Sequence, residues 1–227
     1  MSRYDLLCCD ADETLLDFAQ AEENAFFEAC SAHALAVDGE AYRRYSAINL
    51  ACWKLFEQGR LTQPELRVKR YADFLCEIGS AVDPAALSHT YEQALSRQGC
   101  ALPGAAEALQ RWRESVRVII VTNGIAAVQH GRFAASPFPW MEKDLVISEE
   151  VGAAKPDPAM IAIAMARAGI TDKRRVLVLG DSLNSDMAAA ANAGVDGCWY
   201  NPRAKENTSG TAVRYEIRSL DEVDALL

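Results

Sequence analysis

Five short, mainly apolar runs punctuate the chain, at residues 6–9, 116–121, 145–147, 176–179 and 197–200. Runs of this length without polar alternation predict strands buried on both faces, the pattern of a parallel sheet. Helical patterns separate most of them. Residues 104–114 form one such pattern, opened by Pro103. Residues 157–168 form another, with Asp157 as N-cap, Pro158 at the first helical position and Gly169 as the stop. Strands alternating with helices predict an α/β fold: a Rossmann-like parallel-sheet core with helices on both faces.

The first two strands are separated by roughly a hundred residues, far more than a simple crossover needs. That stretch is rich in helix signals. Thr62-Gln63-Pro64-Glu65 reads as a capping box, and Asp83-Pro84 as a second N-cap followed by proline. The expectation is a helical cap at 18–97, inserted after the first strand and folded over the mouth of a core made from 1–17 and 98–227. No repeat or low-complexity segment interrupts this plan.

Composition narrows the function. A net charge of −9 over 227 residues argues against a nucleic-acid partner, which needs clustered Lys and Arg. The seven cysteines are odd in number and form no C-x-x-C pair, so they read as buried, reduced thiols. His33, His89 and His130 are scattered without metal-ligand spacing. Asp5, Asp10 and Asp12 stand where a signal peptide would need apolar residues, and no apolar run approaches the ~18 of a membrane span. The expectation is a cytoplasmic protein with neither a membrane nor a nucleic-acid partner.

Four of the predicted strands run into chemistry. The first is followed by Asp10-Ala11-Asp12, the second by Thr122-Asn123-Gly124, and the fourth by Gly180-Asp181, with Asp186 five residues on. The third leads through a loop to Lys155. Ligands of open α/β sheets bind beyond the carboxyl ends of the strands, so these groups are expected to meet. Four carboxylates cannot share such a site as bare anions. A hard divalent cation resolves the conflict, and oxygen-only ligands favour Mg²⁺, with Mn²⁺ as a substitute. Lys155 adds a fixed positive charge, while the Thr122 hydroxyl and nearby backbone N–H groups, including those of Asn123 and Gly124, suit phosphate oxygens.

The order Asp-x-Asp-x-Thr-Leu from Asp10, strand-Thr-Asn-Gly, Lys-Pro-Asp-Pro from Lys155 and Gly-Asp-Ser-x-x-x-Asp from Gly180 resembles the haloacid dehalogenase-like hydrolase superfamily. By that resemblance Asp10 is the nucleophile that forms an aspartyl-phosphate, and Asp12 is the general acid and then base. The Asp10 carboxylate, the main-chain carbonyl of Asp12, and Asp181 are implied to hold Mg²⁺, with Asp186 supporting them. Thr122 and Lys155 are implied to bind phosphoryl oxygens. An acid at Asp12 favours phosphoester chemistry over dehalogenation. Glu13 departs from the glycine usual at its position, a change not expected to alter the chemistry.

Selectivity is assigned to the cap. Asn49-Leu50-Ala51-Cys52-Trp53, Phe56–Thr62, Ile147–Gly152 and the ending Ser219–Val223 make the chain similar to the noncanonical pyrimidine nucleotidases, which implies a 5′-nucleotidase acting on pyrimidine nucleoside monophosphates. Trp53 and Phe56 are expected to stack on the base, or else to pack the cap, and Asn49 to read the base edge. Residues 134–143 depart from that family and are expected to alter only a peripheral loop. The alternatives are a phosphatase of sugar phosphates or phosphoglycolate, a phosphosugar mutase, and a non-catalytic phosphoacceptor. The last would need neither the insert nor Asp12.

Overall fold

The computed structural model describes residues 3–227, so the first two residues of the expected core segment lie outside it. In chain order the elements are β1 (Leu6–Cys9), α1 (Phe18–Ala32), α2 (Gly39–Glu57), α3 (Gln63–Glu77), α4 (Pro84–Ser96) and α5 (Ala105–Ser115). Next come β2 (Arg117–Thr122), α6 (Ala126–Ala135), β3 (Leu145–Ile147), α7 (Ser148–Val151) and α8 (Ala159–Ala168). The chain ends through β4 (Val176–Gly180), α9 (Ala188–Ala193), β5 (Asp196–Tyr200) and β6 (Tyr215–Ile217). These form two compact units. Residues up to Phe18 with Gly99–Leu227 make the larger, and Ala19–Gln98 the smaller.

The larger unit is built on a six-stranded parallel sheet in the order β3-β2-β1-β4-β5-β6. Side chains alternate across a strand, so β1 feeds two cores at once. Leu7 and Cys9 join Trp112, Phe133 and Leu179 on one face, while Leu6 and Cys8 join Ile119, Met160 and Val178 on the other. Burial on both faces is why these strands read as continuous apolar runs. Cys9 pairs with Ile120 of β2 and Leu179 of β4, which brings the carboxyl ends of three strands level. Asp10 continues the ladder, its N–H donating to the Leu179 carbonyl at 2.8 Å.

Local signals worked as their chemistry requires. α8 starts at Ala159, one residue after the expected first helical position, yet Asp157 still accepts the Ala159 N–H at 2.8 Å and Gly169 ends the helix in the left-handed region at φ 71°. β6 was not expected. It is three residues long, partly exposed and lies at the sheet edge, where burial imposes little pattern. Residues 134–143 are not the peripheral loop that was expected. Phe138 is fully buried with its ring centroid 5.8 Å from that of Phe133, Met141 is buried beside them, and the Arg113 guanidinium lies 4.3 Å from the centre of the Trp140 ring.

The smaller unit consists of α1–α4. Asp38, Thr62 and Asp83 cap the second to fourth of these, Thr62 through a reciprocal box with Glu65. Its interior is aromatic: Tyr45 stacks between Phe26 at 4.8 Å and Tyr71 at 5.1 Å. Beside them runs a buried polar chain in which Asn49 Nδ2 donates to Glu22 at 2.6 Å and Asn49 Oδ1 accepts from Arg70 at 3.0 Å. This corrects the expectation that Asn49 reads a base edge, because its amide is buried and committed to a carboxylate and a guanidinium of its own unit. Trp53 is half-buried and meets Phe56 edge-on at 5.6 Å. Among the described residues no helix is long and apolar enough to cross a membrane.

If residues 134–143 are part of the core, truncating the fully buried Phe138 leaves a cavity. Phe138→Ala is expected to cost about 3–5 kcal/mol in urea denaturation. A loss below about 0.5 kcal/mol, the range of a surface substitution, would return the segment to the periphery.

Candidate active site

Each expected chemical group of the larger unit sits at or just beyond the carboxyl end of a strand. Asp10 follows β1, Thr122 ends β2, and Gly180 ends β4 just ahead of Asp181. Past Gly180 the chain makes one π-helical turn, Leu183–Met187, a form common at functional sites. That turn folds Asp186 back over the strand end, where its Oδ2 accepts the Ser182 N–H at 3.0 Å. A Cβ on Gly180 would stand 2.3 Å from the Asp186 carboxyl group, so the close return requires glycine.

Lys155 holds the centre. Its buried ammonium donates to Asp10 Oδ1 at 2.5 Å, to Asp186 Oδ1 at 2.6 Å and to the Val121 carbonyl at 2.7 Å, which uses all three of its protons. Asn123 fixes the main chain at Lys155 from both sides. Its Nδ2 donates to the Lys155 carbonyl at 2.8 Å, and its Oδ1 accepts the Lys155 N–H at 2.7 Å. The Asn123 side chain is thus spent on placing the lysine, which leaves its backbone N–H as the group for the expected phosphate contact.

One oxygen each of Asp10, Asp181 and Asp186 lie within 4.8 Å of one another. The electrostatics show an excess of negative charge. Burial, then Asp186, push Asp10 well above the ordinary carboxylate range, with Lys155 opposing. Burial, then Asp186 and Glu13, raise Asp181 to about 7. Burial alone would discharge Lys155, but Asp10 and Asp186 hold it protonated. Three hard oxygen donors with one ammonium between two of them therefore suit a small divalent cation.

The Asp12 carboxylate takes no part in that triad. Gln129 Nε2 donates to its Oδ2 at 2.7 Å, and Arg132 forms a short ion pair with its Oδ1. Asp12 would therefore offer a metal only its main-chain carbonyl. The same Gln129 nitrogen donates to Thr122 Oγ1 at 3.2 Å. Gln129 also lies so close over Gly124 that a Cβ there would be 2.4 Å from its Cγ, which accounts for the glycine. Next to Asp12, Glu13 adopts φ 61°, a left-handed conformation that costs an L-residue roughly 1–2 kcal/mol and explains why glycine suits the position. The Glu13 charge also adds to the rise of Asp181, behind burial and Asp186.

Comparison with known proteins agrees with this geometry. The model of the haloacid dehalogenase-like hydrolases matches residues 4–194, from β1 through α9. The chain belongs to that family. Among curated relatives of this hydrolase, the pyrimidine 5′-nucleotidase YjjG of Escherichia coli is 31% identical over 99% of the chain and 98% of its own length. The pyrimidine 5′-nucleotidase PynA of Streptococcus pneumoniae is 34% identical over 97% and 93%. The magnesium-bound structure of the HAD-hydrolase YfnB from Bacillus subtilis superposes with a TM-score of 0.92 at 31% identity, covering 100% of this chain and 99% of that one.

Gln129 and Arg132 are site residues that the motif reading missed. The available signal was a glutamine and an arginine one turn apart on α6, beside Val128 and Phe133 on a face that packs inward. Glu149 accepts the Ala126 N–H at 2.7 Å and so steadies the start of the hydrolase helix that carries both.

The raised Asp181 sets a pH dependence. A carboxyl group that titrates near 3.8 when unfolded and near 7 when folded binds more protons in the folded state between those values, so metal-free stability falls as pH rises through that window. In EDTA, Asp181→Asn is expected to remove this part of the decline, and Mg²⁺ should stabilise the wild type most above pH 7. Parallel melting curves for the two proteins from pH 4 to 8 would contradict the assignment.

Proposed function

We propose that this hydrolase removes phosphate from nucleoside 5′-monophosphates, with pyrimidine bases preferred, through an aspartyl-phosphate on Asp10. What carries the reading is that both pyrimidine nucleotidases align over nearly the whole chain, so the similarity takes in the helical unit Ala19–Gln98 as well as the core.

Lys155 binds Asp10 through Oδ1, so Oδ2 is the oxygen that attacks phosphorus. Asp12 gives a proton to the departing 5′ oxygen, then takes one from the water that hydrolyses the acyl phosphate. The Thr122 hydroxyl and the backbone N–H groups of Asn123 and Gly124 hold phosphoryl oxygens, and Lys155 neutralises charge between Asp10 and Asp186. Asp10, Asp181 and the Asp12 carbonyl would hold Mg²⁺, with Asp186 in support. When bound, that ion supplies the charge that lets a phosphate dianion approach these carboxylates. All seven cysteines are free thiols, which suits a cytoplasmic enzyme.

Base recognition is assigned to Trp53 with Phe56 behind it, the half-buried edge-on pair of α2. Stacking on a base is worth about 1–3 kcal/mol. A phosphate-release screen in Mg²⁺ should then rank UMP, dUMP and dTMP above purine nucleotides and sugar phosphates. Trp53→Ala should lower kcat/KM for UMP roughly 5- to 150-fold, that stacking energy expressed as a rate ratio, and leave p-nitrophenyl phosphate nearly untouched. Equal losses on both substrates would make Trp53 a packing residue. A purine or sugar phosphate at the head of the screen would overturn the nucleotidase assignment.

A further inference from the structure

We propose that Gln129 and Arg132 are positioning residues that aim the Asp12 carboxylate at the leaving oxygen. The inference rests on the reading of Asp12 as the acid–base group, and concerns what holds that group in place. Asp12 is the mobile partner by chemistry: a two-torsion side chain, 29% exposed at the site. Its two anchors are enclosed, Arg132 fully buried and Gln129 nearly so, both on the inward face of α6.

Each Asp12 oxygen has its own donor, so both the position and the plane of the carboxylate are set. Gln129 Nε2 divides its two protons between Asp12 at 2.7 Å and Thr122 at 3.2 Å. This couples the acid to the residue proposed to hold phosphate through a single shared donor. The cost of the arrangement points the same way. A guanidinium with no exposure, lying 5.5 Å from the centre of the Phe18 ring, is expensive to desolvate where a methionine would pack as well. Gly124 likewise gives up a side chain to admit Gln129. General acid–base help is worth about 10²–10⁴ in rate, and it decays steeply as the proton donor moves from its place.

The test uses Gln129→Met and Arg132→Met, which keep volume, with Arg132→Lys as the conservative variant. All are assayed in Mg²⁺ against an alkyl phosphate (2-glycerol phosphate) and p-nitrophenyl phosphate, whose leaving group departs without a proton. The Met variants should lose about 10- to 100-fold in kcat/KM on the alkyl ester, a share of the acid–base factor, and only a few-fold on the aryl ester. Arg132→Lys should recover much of the loss. In an Asp12→Asn background Arg132→Met should cost nothing more, since the group it aims is gone, and Gln129→Met only the few-fold loss that follows from its bond to Thr122. Equal losses on the two esters, or full multiplicative losses on top of Asp12→Asn, would overturn the proposal. If Arg132→Met does not fold, Gln129→Met alone decides by the same criteria. Wild-type activity of Asp12→Asn itself would instead refute the acid–base reading on which the inference rests.

Discussion

Three carboxylates, Asp10, Asp181 and Asp186, are brought within 4.8 Å of one another at the end of a buried sheet, with one ammonium set between two of them. Most features of the larger unit can be understood as means of tolerating that charge. Like charges so close, shielded from water, resist ionisation, and burial pushes Asp10 and Asp181 upward as a result. Lys155 offsets part of the excess. The remainder makes the site receptive to a divalent cation and, beyond it, to an anionic ester.

The parallel sheet makes the crowding possible because it delivers three chain segments to one level, Cys9 beside Ile120 and Leu179. Finer placement falls to small devices. Glycine at 180 admits the Asp186 carboxyl, a π-turn aims it, and the Asn123 amide locks the main chain of Lys155. Asp12 lies apart from the triad, tied by Gln129 and Arg132. Under the proposed scheme that separation divides the labour, with one aspartate as nucleophile while its neighbour two residues on handles protons.

Much of this was legible in the sequence, for reasons that differ by element. Strands buried on both faces leave apolar runs, and strand-end aspartates, Thr122 and Lys155 stand out against them. The Thr62 capping box and the Gly169 stop are written in local chemistry and appeared where expected. Features set by tertiary contact were not legible. β6 is too short and too exposed to carry a pattern. Phe138 and Met141 looked like loop residues because no periodicity marks a 3₁₀ stretch pressed into a core. Asn49 looked available for recognition, but Glu22 and Arg70, distant in sequence, claim its amide. Gln129 and Arg132 were overlooked because their partner lies 117 and 120 residues away.

The proposed chemistry depends most on Asp10 acting as a covalent nucleophile, poised by Lys155. Trapping the intermediate tests that directly. Protein quenched in acid during turnover with Mg²⁺ and substrate, reduced with borohydride and digested, should yield homoserine in place of aspartate at position 10, the product of a reduced acyl phosphate. The same treatment without substrate should leave Asp10 intact. Homoserine at another position, or an unmodified Asp10 in protein that is turning over steadily and is shown to accumulate enzyme-bound phosphate, would contradict it.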